Sequence, residues 1–258
     1  MAMLKEERIF PVVTFFLAFT TLVIFLLTFK NLTYFENLYG FRILPFPAAT
    51  DTSSLVQLLL SVLHFFVTLI TYTFLHADLI HLTGNMVVLI IVGLAVEEKL
   101  GRGLFLSTYI FSGNIAAIFD IIGRVSLGIS FDIPFIGSSG AIFGLMAVAG
   151  LVKPMEKIPT MLVLLTFLPL AYLIPDLGVF SDTVTLSVIL VFTIVLIIVA
   201  IQMFPSYIPL AVAIVIYLSS WLISFLIKYP LTVSNIGHLG GMAGGIISFF
   251  LFAKKKTV

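Results

Sequence analysis

Gly137-Ser138-Ser139-Gly140-Ala141-Ile142-Phe143-Gly144 opens an apolar run that meets no charge until Lys153. Two hydroxyls and three glycines therefore head a segment otherwise suited to hydrocarbon. At 1.5 Å per residue, the fourteen residues from Ser139 to Lys153 rise about 21 Å as a helix. If Lys153 marks one membrane boundary, Ser139 is sunk about 10 Å below the other in a core about 30 Å thick.

Other polar side chains count to the same depth. His238 lies sixteen residues before Lys254, hence about 24 Å up; Asn85 and His81 lie twelve and sixteen residues before Glu97, about 18 and 24 Å up. Singly, each has a plain explanation: a Gly-x-Ser-Gly run is often helix packing, and a histidine or asparagine pins neighbouring helices by hydrogen bonds. Polar groups in hydrocarbon are costly and face a cavity or one another, so agreement in depth predicts one shared site. Gly140 and Gly144 make a small-residue face on the Ser139 helix, and Gly241 and Gly245 follow His238 at i+3 and i+7. Helices stripped of side chains at these places can approach closely. That brings a Ser139–His238 hydrogen bond of about 3 Å within reach.

The rest of the chain is built for the same solvent. Of 258 residues 61% are hydrophobic and 10% charged, with 26 Phe, which excludes a water-soluble fold. A net charge of +1 without a basic cluster argues against nucleic acid, and the lack of cysteine excludes disulfides and thiolate chemistry. Apolar spans are predicted at Ile9–Phe29, His81–Val96, Gly103–Ile122, Ser139–Val152, Ile158–Pro175, Val184–Phe204, Ile208–Ile227 and Ile236–Ala253, eight in all. The first is too long for a signal-peptide core and reads as a retained span. Leu55–Leu75 is a further uncharged run whose crossing is left open. Nine Lys/Arg against four favour a cytoplasmic N-terminus for eight spans, but an external N-terminus with nine spans scores the same. In both cases the helices starting near His81, Ser139 and Ile236 run inward from outside.

Two other readings bear on function. His76, Asp78 and His81, with His64 as a further donor, have the residue types of a zinc site. Glu97, with Glu98 and Lys99, reads as a solvated helix end.

Taken together, His81-x-x-x-Asn85, Gly137-Ser138-Ser139-Gly140 and Gly237-His238-x-x-Gly241-x-x-x-Gly245, in this order, resemble the rhomboid intramembrane proteases. The likeness covers about Thr68–Val152 and Ser234–Phe252, including Phe74–Asp78 and Glu97–Gly101. It implies an all-α, polytopic transmembrane bundle forming one integral domain over residues 1–258. The six-helix core would carry two additional spans within 158–227, silent to topology because one span or three between Ser139 and His238 leave their helices parallel. By resemblance, Ser139 is the nucleophile and His238 its base, with no acidic third member. His81, Asn85 and the Ser139 N–H hold the oxyanion, and His76, Gly137, Phe143 and Gly241 support the site. Phe143 stands where the family often has Tyr, and the Trp-Arg pair often found in the first loop is missing. The implied partners are single-pass transmembrane substrates, cut near the outer end of their membrane segment after a small residue, and the lipid bilayer. No cofactor or metal is implied. A prokaryotic cell membrane is the expected location. The alternative is a non-catalytic binder of transmembrane segments acting in quality control.

Overall fold

The computed structural model describes residues 10–41, 55–160, 206–228 and 233–253. Two expected spans, Ile158–Pro175 from its fourth residue on and Val184–Phe204, lie outside this set. Within it the chain is helical, apart from one short strand pair, an isolated bridge and connecting turns.

Helix α1 (Val12–Thr28) continues through a 3-10 turn into α2 (Leu32–Tyr39). Its buried residues are Thr14, Leu17, Thr21, Phe25 and Thr28, one stripe at helical spacing. Phe16, Phe19, Leu26 and Leu27 point outward. Small polar side chains thus face protein and large apolar ones face lipid, the arrangement expected when the solvent is hydrocarbon. Thr21 and Thr28 return their hydroxyls to the carbonyls of Leu17 and Ile24, both at 2.8 Å, so neither is left unpaired.

Helix α4 (Leu79–Leu100) ends where α1 begins, and this corrects the reading of Glu97 as a solvated end. Glu97 is fully buried. Its carboxylate accepts from the Val13 N–H at 2.9 Å, the Thr14 N–H at 2.7 Å and the Thr14 hydroxyl at 2.8 Å. The first turn of α1 has no side-chain cap of its own, so a residue from another helix caps it, and the anion sits at the positive end of the α1 dipole. Composition gave no sign of this, because the donors lie more than eighty residues away. The end of α1 and the start of α4 thus lie at the same end of this helix pair, joined by residues 29–78. Helix α3 (Leu55–Thr71) within that stretch is tied to α2, the Thr71 hydroxyl donating to the Tyr39 carbonyl at 2.8 Å.

A glycine in the positive-φ region, Gly101, separates α4 from α5 (Arg102–Leu127). Hydropathy alone ended this helix at Ile122. It runs on because Asp120 and Arg124 neutralise each other at 2.8 Å, and Arg124 also donates to the Ser130 carbonyl at 2.7 Å. Helix α6 (Ser139–Val152) is short, and its lower end is held by Lys153, which pairs with Glu98 and Glu156.

Strands β1 (Lys157–Pro159) and β2 (Tyr207–Pro209) pair antiparallel, and the Thr160 N–H donates to the Ser206 carbonyl at 3.0 Å. The described residues on either side of 161–205 are thereby joined directly. Helix α7 (Leu210–Lys228) follows β2 and packs on α6; α8 (Val233–Ser248), continued by a π-turn at Phe249–Ala253, lies between α5 and α6. Among the described residues, four helical segments, Val12–Tyr39, Leu79–Leu100, Arg102–Leu127 and Asn235–Phe252, are long and apolar enough to cross a membrane, with shorter apolar helices at Leu58–Phe74, Ser139–Val152 and Leu210–Ser219.

Candidate active site

Three backbone ties hold the loop ahead of α6. Phe41 and Phe135 exchange N–H···O bonds of 2.9 and 2.8 Å, and the Gly137 N–H donates to the Tyr72 carbonyl at 2.9 Å. Tyr72, fully buried, tilts against Phe135 at 5.1 Å between centroids and donates its hydroxyl to the Gly113 carbonyl at 2.8 Å. Sequence reading passed over Tyr72, since an aromatic in an apolar run carries no distinguishing signal.

Gly137 has φ +108°, a conformation that side chains disfavour. Space makes the same demand. A Cβ at this position would lie 2.8 Å from His81 Cε1, 3.0 Å from His81 Nε2 and 3.9 Å from Asn85 Nδ2. The space a side chain would need is taken by the His81 ring, with Asn85 one turn further along α4 beside it. Gly137 and Ser138 lead directly into the first turn of α6, whose N–H groups helix geometry leaves unpaired.

Ser139 is the first residue of α6 and is 8% exposed. Fourteen helical residues rise about 21 Å, short of the roughly 30 Å core, so a helix of this length starts below the surface. His238 on α8 reaches it, with Nε2 2.8 Å from Ser139 Oγ. The imidazole lies flat on Phe143, centroids 4.4 Å apart and planes 3° apart. Phe143 is one turn below Ser139, so α6 supplies both the hydroxyl and the plate that orients the ring. Tyr217 on α7 closes the far side of Phe143 at 5.7 Å.

The approach of α8 to α6 is backbone on backbone. A Cβ on Gly241 would run into the Gly140 carbonyl and lie 3.1 Å from Gly140 Cα, and one on Gly245 would strike the Gly144 carbonyl. The sequence foresaw the close approach of α8, but the side-chain positions of Gly140 and Gly144 themselves point at Ala116 and Ser112 of α5, and a second α8 face was not foreseen. Gly240 and Gly244 press α8 against Phe119 and Ile115 of α5, a further i, i+4 pair visible one residue earlier in the chain.

His76, fully buried, sets its Nε2 3.0 Å from Asn85 Nδ2 and 3.2 Å from Ser138 Oγ. The histidines and acid considered as metal ligands are differently engaged. Asp78 caps α4, accepting from the His81 N–H at 2.8 Å, and His64 Nε2 lies 2.8 Å from the Leu38 carbonyl. Among the described residues no three His, Cys, Asp or Glu side chains group as a metal site.

The structure thus joins Ser139, His238 and Phe143 by direct contact, sets Gly241 against Gly140, and places His81 and Asn85 beside Gly137 and His76 beside Asn85 and Ser138. A hydroxyl bonded to an imidazole, on a helix whose preceding residues adjoin an imidazole and a carboxamide, has the parts that acyl transfer requires. In comparison with known proteins, the Rhomboid domain model matches residues 64–255. A curated relative, Rhomboid-like protein 11, chloroplastic, of Arabidopsis thaliana, is 41% identical over 85 residues. That match covers 33% of this chain and 28% of the relative, so the chain aligns with well under half of that protein. With its apolar helices and a family match across most of its length, this integral membrane protein belongs to the rhomboid family.

Proposed function

We propose that the protein is an intramembrane serine endopeptidase acting on the transmembrane segments of single-pass membrane proteins. The observation that carries the reading is the 2.8 Å approach of His238 Nε2 to Ser139 Oγ, with the ring held flat on Phe143. Ser139 Oγ attacks the scissile carbonyl carbon while its proton passes to His238 Nε2. The carbonyl oxygen becomes an oxyanion met by the Ser139 N–H, His81 and Asn85. His238 returns the proton to the leaving amine as the C–N bond breaks, leaving an acyl-Ser139 ester. Water, deprotonated by His238, hydrolyses that ester and restores both groups. No step calls for a cofactor.

On this reading two additional spans in 158–227 bring the total to eight, and the Lys/Arg bias sets the N-terminus in the cytoplasm of a prokaryotic cell. The chloroplast in the relative's name describes that relative.

The test is labelling by a serine-directed fluorophosphonate together with cleavage of a single-pass reporter. Wild type is expected to label and cleave, and Ser139→Ala and His238→Ala to fall to background. For Asn85→Ala the expected loss in turnover is about 10- to 1000-fold. Cleavage by Ser139→Ala at the wild-type rate would end the proposal. Reporter capture without labelling or cleavage by wild type would instead identify a non-catalytic binder.

A further inference from the structure

Close to Gly137 lies a buried chain of three side chains from three places: Ser138 at the head of α6, His76 in the turn before α4, and Asn85 on α4. Ser138 and His76 are fully buried, and Asn85 is 4% exposed. None has access to water as a substitute partner, so the contacts among them fix their orientations.

Asn85 Nδ2 is the informative atom. It lies 3.0 Å from His76 Nε2, and it is also the amide atom nearest the space a Cβ on Gly137 would fill. One amide nitrogen thus lies beside both the imidazole and Gly137, and it carries two hydrogens. An amide nitrogen only donates, so His76 Nε2 is the acceptor and the ring proton sits on Nδ1. Ser138 Oγ, 3.2 Å from the same nitrogen, is a second donor in that tautomer and would be an acceptor in the other.

Resting on the proteolytic reading above, we propose that Ser138 and His76 are positioning residues for hydrolysis. Ser138 locks His76 with Nε2 as acceptor, and His76 turns the Asn85 amide so that its second N–H points at the oxyanion. The residue before the nucleophile thereby acts on the oxyanion through two other side chains, without touching substrate. Neither Ser138 nor His76 alone carries a sequence signal for this.

A double-substitution cycle tests it in the detergent-solubilised full chain, with turnover of a single-pass reporter as the measurement. Ser138→Ala is expected to lower kcat about 3- to 10-fold, the effect of one hydrogen bond, with KM within twofold. In an Asn85→Ala background the same substitution is expected to cost less than twofold, because the group through which Ser138 acts is already gone. Equal losses in both backgrounds would overturn the proposal, as would a loss confined to KM or one matched by a fall in melting temperature.

A second measurement needs no variant of Ser138. The chain has four histidines, so 15N-histidine labelling resolves each ring, with His76→Gln assigning its own signals. His76 is expected to carry its proton on Nδ1; a proton on Nε2 overturns the scheme. Failure of the parent reading looks different. Wild type that neither cleaves nor labels removes both proposals, whereas active wild type with additive losses removes this one alone.

Discussion

Helix α6 meets its neighbours in two ways. Toward α8, Gly140 and Gly144 lie directly against Gly241 and Gly245, main chain on main chain. Toward α4 and α7 the contact is made by side chains, with Val88, Val92, Met146, Leu210, Ala213 and Tyr217 lining an apolar cleft. Side chains accommodate change by altering rotamers, whereas two backbones in contact have nothing left to move. The difference matters because the Ser139–His238 distance is set across the first interface. The glycine face fixes the reacting pair, and the side-chain face is the one able to adapt.

Three substitutions and one deletion test this contrast, in descending order of effect. Gly245→Leu drives a side chain into the Gly144 carbonyl and is expected to cost about 3 kcal/mol or more, read as loss of folded, probe-reactive protein. A mild effect there would break the distinction between the two faces. Glu97→Gln keeps the size of the α1 cap but removes its charge, and is expected to cost about 1.5–3 kcal/mol in thermal unfolding. A cost as large as that of Gly245→Leu would make the α1 anchor, rather than the glycine face, the principal constraint.

Met146→Leu on the side-chain face is expected to cost less than about 1.5 kcal/mol and to leave the fluorophosphonate labelling rate near that of wild type. The smallest effect is expected from replacing residues 161–205 by an Asn-Gly turn. Its flanks, Thr160 and Ser206, are already bonded, so α6 and α7 keep their relation, and removing the two proposed spans together leaves one crossing between Ser139 and His238, which keeps their helices parallel. Labelling lost on this deletion would show that the excursion shapes the site.

Much of the site was legible because it rests on spacing. The depths of Ser139, His238, His81 and Asn85 follow from counting 1.5 Å steps to the nearest charge, and the facing glycines from i+3 and i+4 intervals. Such quantities are local to a helix. What joins separate helices was less visible. Glu97 looked solvated because it sits beside Glu98 and Lys99, yet the two N–H groups that bury it belong to α1. Asp78 looked like a metal ligand until its own helix used it as a cap. Arg124 marked a boundary until Asp120 neutralised it.

The sequence by itself determined the solvent, the helical class, the shared depth of the polar layer and the stripes along which helices can touch, since each follows from composition or from the pitch of one helix. Tertiary structure alone decided which stripes meet, that Gly137 lies against His81 and near Asn85, and that His76 links Ser138 to Asn85. Those relations depend on the distance and rotation between elements far apart in the chain. No single-helix periodicity encodes them, because they arise only when packing selects one of the many ways the same faces can be paired.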